Sequence, residues 1–130
     1  IVIAGGITQG GEHFNVLDEV LSLDPTSGQW TTLPPLPFAN FAPAIQFIGG
    51  QLFLFGGMRL GEQSYEYVNH IYQLDISKRQ WLHTGRFLKE RKGFVQPVQM
   101  STNTAGLLGG HTYDYQQDGP VSTFETFRVK

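Results

Sequence analysis

A pair of adjacent glycines recurs three times in the sequence at a nearly constant distance. Gly6, Gly57 and Gly110 each close such a pair, and they lie 51 and 53 residues apart. Each pair directly follows an apolar run, which reads "IVIA", "LFLF" and "AGLL" in turn. A period near 50 residues is typical of propeller blades rather than of helical arrays. The spacing therefore predicts one supersecondary unit repeated along the chain.

An aspartate and a tryptophan keep the same period. In the first unit Asp24 and Trp30 lie 18 and 24 residues after the second glycine of the pair. In the second unit Asp75 and Trp81 lie at the same two distances. Coincident spacings of glycine, aspartate and tryptophan indicate units of one structure rather than a chance recurrence of glycine.

The second unit contains four short strand patterns. "FAPAIQF" (41–47) and "LFLF" (52–55) are separated by a Gly-Gly turn, in which glycine supplies the positive φ of a tight hairpin. "HIYQLD" (70–75) and "QWLHT" (80–84) follow after a longer loop. The 16 glycines and the 13% aromatic content also favour strands and turns over helices. We therefore predict an all-β fold of four-stranded antiparallel blades.

The combination of a glycine pair, an aspartate and a tryptophan resembles the kelch repeat of β-propellers. The residues that carry it are Gly5, Gly6, Asp24, Trp30, Gly56, Gly57, Asp75, Trp81, Gly109 and Gly110. The resemblance implies that residues 1–38 form the last three strands of one blade, 39–86 a complete blade, and 87–130 the first three strands of a third. Kelch propellers close with more blades than this. The resemblance therefore implies further blades, from additional sequence or from another chain.

Composition argues against several classes of partner and cofactor. The formal charge of −2 gives no electrostatic attraction to phosphate, so nucleic acid is not an expected ligand. The absence of cysteine removes disulfides and thiolate metal sites, and it favours a reducing, cytoplasmic location. The longest apolar region, Phe41 to Met58, is interrupted by glutamines and glycine pairs, so membrane insertion is not expected.

The residues that could support catalysis or metal binding show no recognised spacing. The loop "GGITQGG" (5–11) lacks the Lys-Ser/Thr of a nucleotide-binding loop. His111, Asp114 and Asp118 share one loop but lack the alternating acidic pattern of a calcium site. We expect no catalytic residue, metal or cofactor. The alternative is an enzyme or small-ligand site at the propeller mouth that uses His111, Asp114 and an arginine.

The kelch resemblance also implies where a partner would bind. In such propellers the loops after the glycine pairs and the loops that enter the innermost strands emerge on one face. The candidate partner-binding residues on these loops are Asn40, Phe41, Met58, Arg59, Tyr65, Arg91, Lys92, His111 and Tyr113. Aromatic, methionine and arginine side chains of this kind dominate interface energetics. The leading hypothesis is a non-catalytic protein-binding module.

Other interpretations of these residues stay open. Phe41 is also compatible with the start of the innermost strand, and Tyr65 with the edge of a strand. Arg59 and Arg91 are also compatible with surface ion pairs to Glu62 and Glu90. A third functional hypothesis is a structural component whose arcs of blades pack edge to edge.

Overall fold

A computed structural model describes residues 1–113 and 118–130. Within these ranges every regular element is a β-strand, and every named strand pair is antiparallel. The all-β prediction is confirmed. The strands are β1 (Val2–Ala4), β2 (Ile7–Gly10), β3 (His13–Val16), β4 (Val20–Leu23), β5 (Trp30–Leu33), β6 (Ala44–Ile48), β7 (Gln51–Phe55), β8 (Met58–Leu60), β9 (Tyr65–Tyr67), β10 (His70–Asp75), β11 (Gln80–Phe87), β12 (Gln96–Ser101), β13 (Thr104–Leu108), β14 (His111–Tyr113), β15 (Asp118–Pro120) and β16 (Phe124–Arg128).

Three larger sheets follow one another along the chain. The first sheet has the order β1-β4-β5, the second β11-β10-β7-β6, and the third β12-β13-β16. The second sheet is a complete four-stranded meander. By comparison, the first sheet lacks an innermost strand and the third lacks an outermost strand among the described residues. Successive small antiparallel sheets of this kind form a β-propeller-like arrangement.

A small hairpin is inserted in each sheet between the strand that precedes the glycine pair and the next strand of that sheet along the chain. The three loop hairpins are β2–β3, β8–β9 and β14–β15. The expectation that these segments are loops is wrong for the described residues. A run of three or four residues is too short to show the alternation of apolar and polar residues that indicates a strand. The alternative that Tyr65 lies on a strand is confirmed, because it pairs with Leu60 across β8–β9.

The apolar run "LFLF" forms β7 and is covered on both faces. Phe53 and Phe55 pack with Leu107 and Phe127 of the third sheet. Leu54 packs in the opposite direction, with Val20 of the first sheet. A strand buried between two sheets needs apolar residues at every position, which explains why leucine and phenylalanine run without polar interruption.

The glycine pairs lie where the chain of the next unit passes close to the backbone. Gly6 donates its N–H to the Asn40 carbonyl, and Gly57 donates in the same way to the Lys92 carbonyl, each at 2.9 Å. Gly56 has a φ of +56°, and a Cβ there would collide with the Lys92 carbonyl oxygen. Both the conformation and the close approach exclude a side chain.

The repeated aspartates shape two equivalent turns, one between β4 and β5 and one between β10 and β11. Asp24 accepts hydrogen bonds from the Thr26 N–H at 2.9 Å and from the Ser27 hydroxyl at 2.8 Å. Asp75 accepts in the same way from the Ser77 hydroxyl and the Lys78 N–H. These bonds stabilise the carboxylate and lower the pKa of both aspartates.

The two repeated tryptophans differ in environment. Trp81 packs against the cluster between the first and second sheets and donates its Nε1–H to the Pro34 carbonyl at 3.0 Å. Trp30 occupies the same position one unit earlier, yet 54% of it is exposed. In the described part of the chain, no sheet precedes the first one to cover it.

Candidate partner-binding face

Loops that follow a glycine pair lie next to loops that lead into the first strand of the second and third sheets, on one face of the row of sheets. Phe41, at the entry to β6, exchanges two backbone hydrogen bonds of 2.8 and 2.7 Å with Met58, which follows a glycine pair. One unit later Gly93 and His111 exchange the same two bonds at 3.0 and 2.9 Å. The loop segments that the kelch resemblance brought together are therefore adjacent in the structure. We refer to this surface as the loop face.

Asn40 and Lys92 do not belong to the exposed part of the loop face. Both residues are completely buried. Asn40 donates its Nδ2–H to the Gly56 carbonyl at 3.0 Å. Lys92 places its Nζ 3.0 Å from Glu125 Oε1 and 3.2 Å from the Thr123 hydroxyl. The prediction that these two side chains contact a partner is wrong, because both are enclosed by backbone and side chains of this chain.

An open groove of ≈ 940 Å³ lies on the loop face beside the β8–β9 hairpin. Four of the candidate partner-binding residues line this groove, namely Arg59, Tyr65, Arg91 and Tyr113. Arg59 pairs across the hairpin with Glu66, with 3.1 Å between Nη2 and Oε2. This ion pair replaces the one considered with Glu62. Both side chains remain half exposed, so the pair contributes little to stability.

Arg91 is the cation of the groove without a side-chain partner among the described residues. Its side chain is exposed, and only its backbone carbonyl accepts a hydrogen bond, from the Thr112 hydroxyl. The pairing considered with Glu90 is not formed, since that carboxylate faces the Thr123 hydroxyl at 3.5 Å. The guanidinium of Arg91 is therefore free to contact an external acceptor.

His111 connects two neighbouring loop hairpins. Its Nδ1 lies 3.0 Å from the Tyr67 hydroxyl of β9, and its Nε2 lies 3.9 Å from Asp118 Oδ1. Burial, with a smaller contribution from the Asp118 carboxylate, raises the pKa of Tyr67. Asp114, the third member of the predicted cluster, lies outside the described residues. Among the residues that are described, no group of three or more His, Asp or Glu side chains could hold a metal ion.

Sequence reasoning missed an aromatic contribution to the loop face. Phe94 is 55% exposed, and its ring meets that of Phe41 edge-to-face with 5.5 Å between centroids. Phe94 has a φ of +55°, as Ala42 has +56° at the same position one unit earlier. In the sequence it reads as the first residue of an apolar strand, and only the left-handed conformation distinguishes it. Phe38, which lines the groove 5.9 Å from the Arg59 guanidinium, was also missed.

Comparison with known proteins supports the fold. No family model matches the sequence, and no curated protein matches it. The solved structure of YjhT is similar over 84% of this chain, with a TM-score of 0.65 at 16% sequence identity. The match covers 34% of the YjhT chain, so this chain spans about a third of that length. At this identity the similarity shows the fold alone.

No helix long and apolar enough to cross a membrane occurs in the part of the chain that the structure describes.

Proposed function

We propose that this chain is a kelch-type propeller segment that binds another protein through its loop face and has no catalytic activity of its own. The observation that carries the proposal is one surface that joins exposed and half-buried aromatic side chains to an arginine without a side-chain partner among the described residues. It runs from Phe94 and Phe41 over Met58 to the groove with Tyr65 and Arg91.

The composition of this surface suits protein recognition. Aromatic, methionine and arginine residues are enriched at interfaces, where a few of them supply most of the binding free energy. Phe41 and Phe94 offer a rigid apolar contact area that loses little conformational entropy on binding. Arg91 at the groove adds a donor for carbonyl or carboxylate oxygens.

The surface is also held firmly by the fold beneath it. Paired backbone bonds anchor Phe41 to Met58 and Gly93 to His111, and Phe94 donates its N–H to the Ala42 carbonyl at 3.0 Å. A preorganised surface binds with a smaller entropic cost than one that must order on contact. These contacts support a binding role for the loop face.

Affinity capture with quantitative mass spectrometry tests the proposal. The tagged chain is compared with a variant that carries Phe94→Ala and Arg91→Ala. Loss of a hot-spot residue costs about 2 kcal/mol or more, so we expect partner recovery to fall about 30-fold or more. Phe47→Ala is the matched control, since Phe47 is 53% exposed but lies near the opposite end of β6.

Unchanged recovery in the loop-face variant, or equal losses in that variant and in Phe47→Ala, would contradict the proposal. Circular dichroism of all three proteins checks that the substitutions leave the sheets folded.

A further inference from the structure

The backbone of Leu60, which lines the groove, points away from its partner strand β9. Leu60 pairs with Tyr65 at the end of the β8–β9 hairpin. The next pair is hydrogen-bonded, since Gly61 donates its N–H to the Ser64 carbonyl at 2.8 Å. Bonded and non-bonded pairs alternate along antiparallel strands. Leu60 and Tyr65 are therefore a non-bonded pair, and the N–H and C=O of Leu60 face the outer edge of β8.

The same outer edge is already paired two residues earlier. Met58 exchanges two backbone hydrogen bonds with Phe41, at 2.8 and 2.7 Å. The chain before Phe41 does not continue along β8, because the Asn40 N–H donates to the Leu17 carbonyl at 2.9 Å. No described residue bonds to the outward backbone groups of Leu60. The edge of β8 is therefore half paired, and it opens into the groove.

The groove lies between units of this chain rather than at an end of the row of sheets. Phe38 and Ala39, from the segment that joins the first sheet to the second, line it. Arg91 and Tyr113, from the segments that flank the first two strands of the third sheet, also line it. The open edge at Leu60 is thus enclosed by successive units and is separate from the outer faces of the first and third sheets.

The charges of the groove do not select a ligand of one sign. Two arginines, Arg59 and Arg91, and two glutamates, Glu62 and Glu66, line it. Their formal charges cancel. The neutral backbone groups of Leu60 remain as a donor and an acceptor in fixed positions, and an extended peptide main chain carries the complementary pair.

We propose that the groove binds an extended segment of a partner protein, one residue of which exchanges two backbone hydrogen bonds with Leu60. The inference rests on the proposed function and states how the loop face holds its partner. The segment continues the pairing that Phe41 makes with Met58, as in other complexes where a peptide adds to a strand edge. Main-chain bonds supply affinity there, and the guanidinium of Arg91 and the ring of Tyr65 add contacts to the segment.

A phage-displayed library of random linear peptides, selected on the unmodified chain, supplies the probes. Selected peptides are synthesised with capped ends and a fluorescent label, and anisotropy gives their dissociation constants. Two variants at one position separate main chain from side chain. Leu60→Pro removes the outward N–H, which the hairpin itself does not use, and proline is tolerated at such an edge. Leu60→Ala removes most of the side chain but keeps both backbone groups.

We expect Leu60→Pro to weaken peptide binding about tenfold, because one hydrogen bond is lost and the ring obstructs the edge. Leu60→Ala should change the dissociation constant by less than about threefold, since the backbone pairing remains. Circular dichroism compares the two variants with the unmodified chain.

N-methylation of the peptides tests the pairing without any change in the protein. Methylation of the one amide that donates to the Leu60 carbonyl should weaken binding about tenfold, whereas methylation of the neighbouring amides should have a smaller effect. This measurement decides the matter even where Leu60→Pro disturbs the hairpin.

Three results would overturn the inference: a selection that yields no binding peptide, equal effects of Leu60→Pro and Leu60→Ala, or peptides in which no single amide is sensitive to methylation. None of them contradicts the proposed function, which fails only if partner capture is unaffected by the Phe94→Ala and Arg91→Ala substitutions or no more affected than in Phe47→Ala. A partner captured through the loop face without these peptide results would instead bind through its side chains.

Discussion

At the scale of single residues, the glycine directly after β7 meets two separate requirements. One is a left-handed backbone conformation, and the other is the close approach of neighbouring backbone. Gly56 adopts a left-handed conformation, and a Cβ there would collide with the Lys92 carbonyl oxygen and crowd the Val68 carbonyl oxygen. Gly28, in a surface turn, meets only the first requirement: its φ is +71°, and a Cβ there would contact nothing within 4 Å. A comparison of substitutions at Gly56 and Gly28 therefore separates the cost of the left-handed conformation from the cost of the steric clash.

We expect Gly56→Ala to destabilise the chain more than Gly28→Ala. The left-handed conformation costs an L-residue about 1–2 kcal/mol at either position. At Gly56 the displacement of backbone carbonyls adds to that cost. Denaturant unfolding of both variants gives the comparison, and equal losses of unfolding free energy would show that the close approach does not matter.

At the scale of elements, a buried ion pair ties the loop before β12 to the strand β16. Lys92 is completely buried, and the side chain of Glu125 is 9% exposed. Glu125 Oε2 also accepts the Lys89 N–H at 3.0 Å. Asn40 occupies the equivalent position one unit earlier and makes an uncharged hydrogen bond instead. The repeat therefore keeps a buried polar contact here but varies its chemistry.

Lys92→Met should destabilise the chain by about 3–5 kcal/mol, because it leaves the Glu125 carboxylate buried without a counter-charge. The double variant Lys92→Met, Glu125→Gln should recover much of that loss, since the buried charge is gone. Urea unfolding measures both. A double variant no more stable than the single one would contradict this account of the ion pair.

A second element-scale feature is the histidine on the bulged pair β10–β11. Burial, followed by the charges of His83, Arg59 and Arg91, lowers the pKa of His70 from its ordinary value of 6.5. Its Nδ1 is buried and has no hydrogen-bond partner among the described residues. The unfolded chain therefore binds a proton at His70 more readily than the folded chain does.

We expect the free energy of unfolding to fall as the pH drops below about 6.5. Above that pH His70 is neutral in both states and has no effect. His70→Gln should show a smaller loss between pH 7 and pH 5.5 than the unmodified chain, as measured by denaturant unfolding. A loss in His70→Gln equal to that of the unmodified chain would refute the assignment to His70.

At the scale of the whole molecule, stability depends on contacts between successive sheets. Trp81 bridges the first and second sheets, whereas Trp30 has no preceding sheet to meet among the described residues. The two tryptophans thus report on the presence or absence of a neighbouring sheet at one repeated position.

Trp81→Phe should lower the free energy of unfolding by about 0.5–1.5 kcal/mol, since it removes the hydrogen bond to the Pro34 carbonyl. Trp30→Phe should change it by less than about 0.5 kcal/mol, as is usual for an exposed position. Thermal unfolding of dilute protein compares them. A larger loss in Trp30→Phe would show that Trp30 packs against something in solution.

Particular residues show how far the sequence could predict this structure. The Gly49-Gly50 turn was predicted from its dipeptide, and its φ values of +59° and +77° confirm it. β10 has the predicted bounds, whereas β11 continues to Phe87, three residues beyond the predicted end. The loop hairpins were missed because strands of three or four residues carry too little periodicity.

The sequence by itself determined the repeat, the all-β class and the positions that only glycine can occupy. These properties depend on local backbone conformation and on alternation along single strands, which the order of residues records directly. Only the tertiary structure decided which polar residues of the loops are exposed. In the sequence, Asn40 and Arg91 are both polar residues of the loops that enter the innermost strands. Contacts from segments distant in the chain bury Asn40, whereas Arg91 stays exposed at the groove. The same holds for Trp30 and Trp81, because the burial of a repeated residue depends on whether a neighbouring sheet covers it.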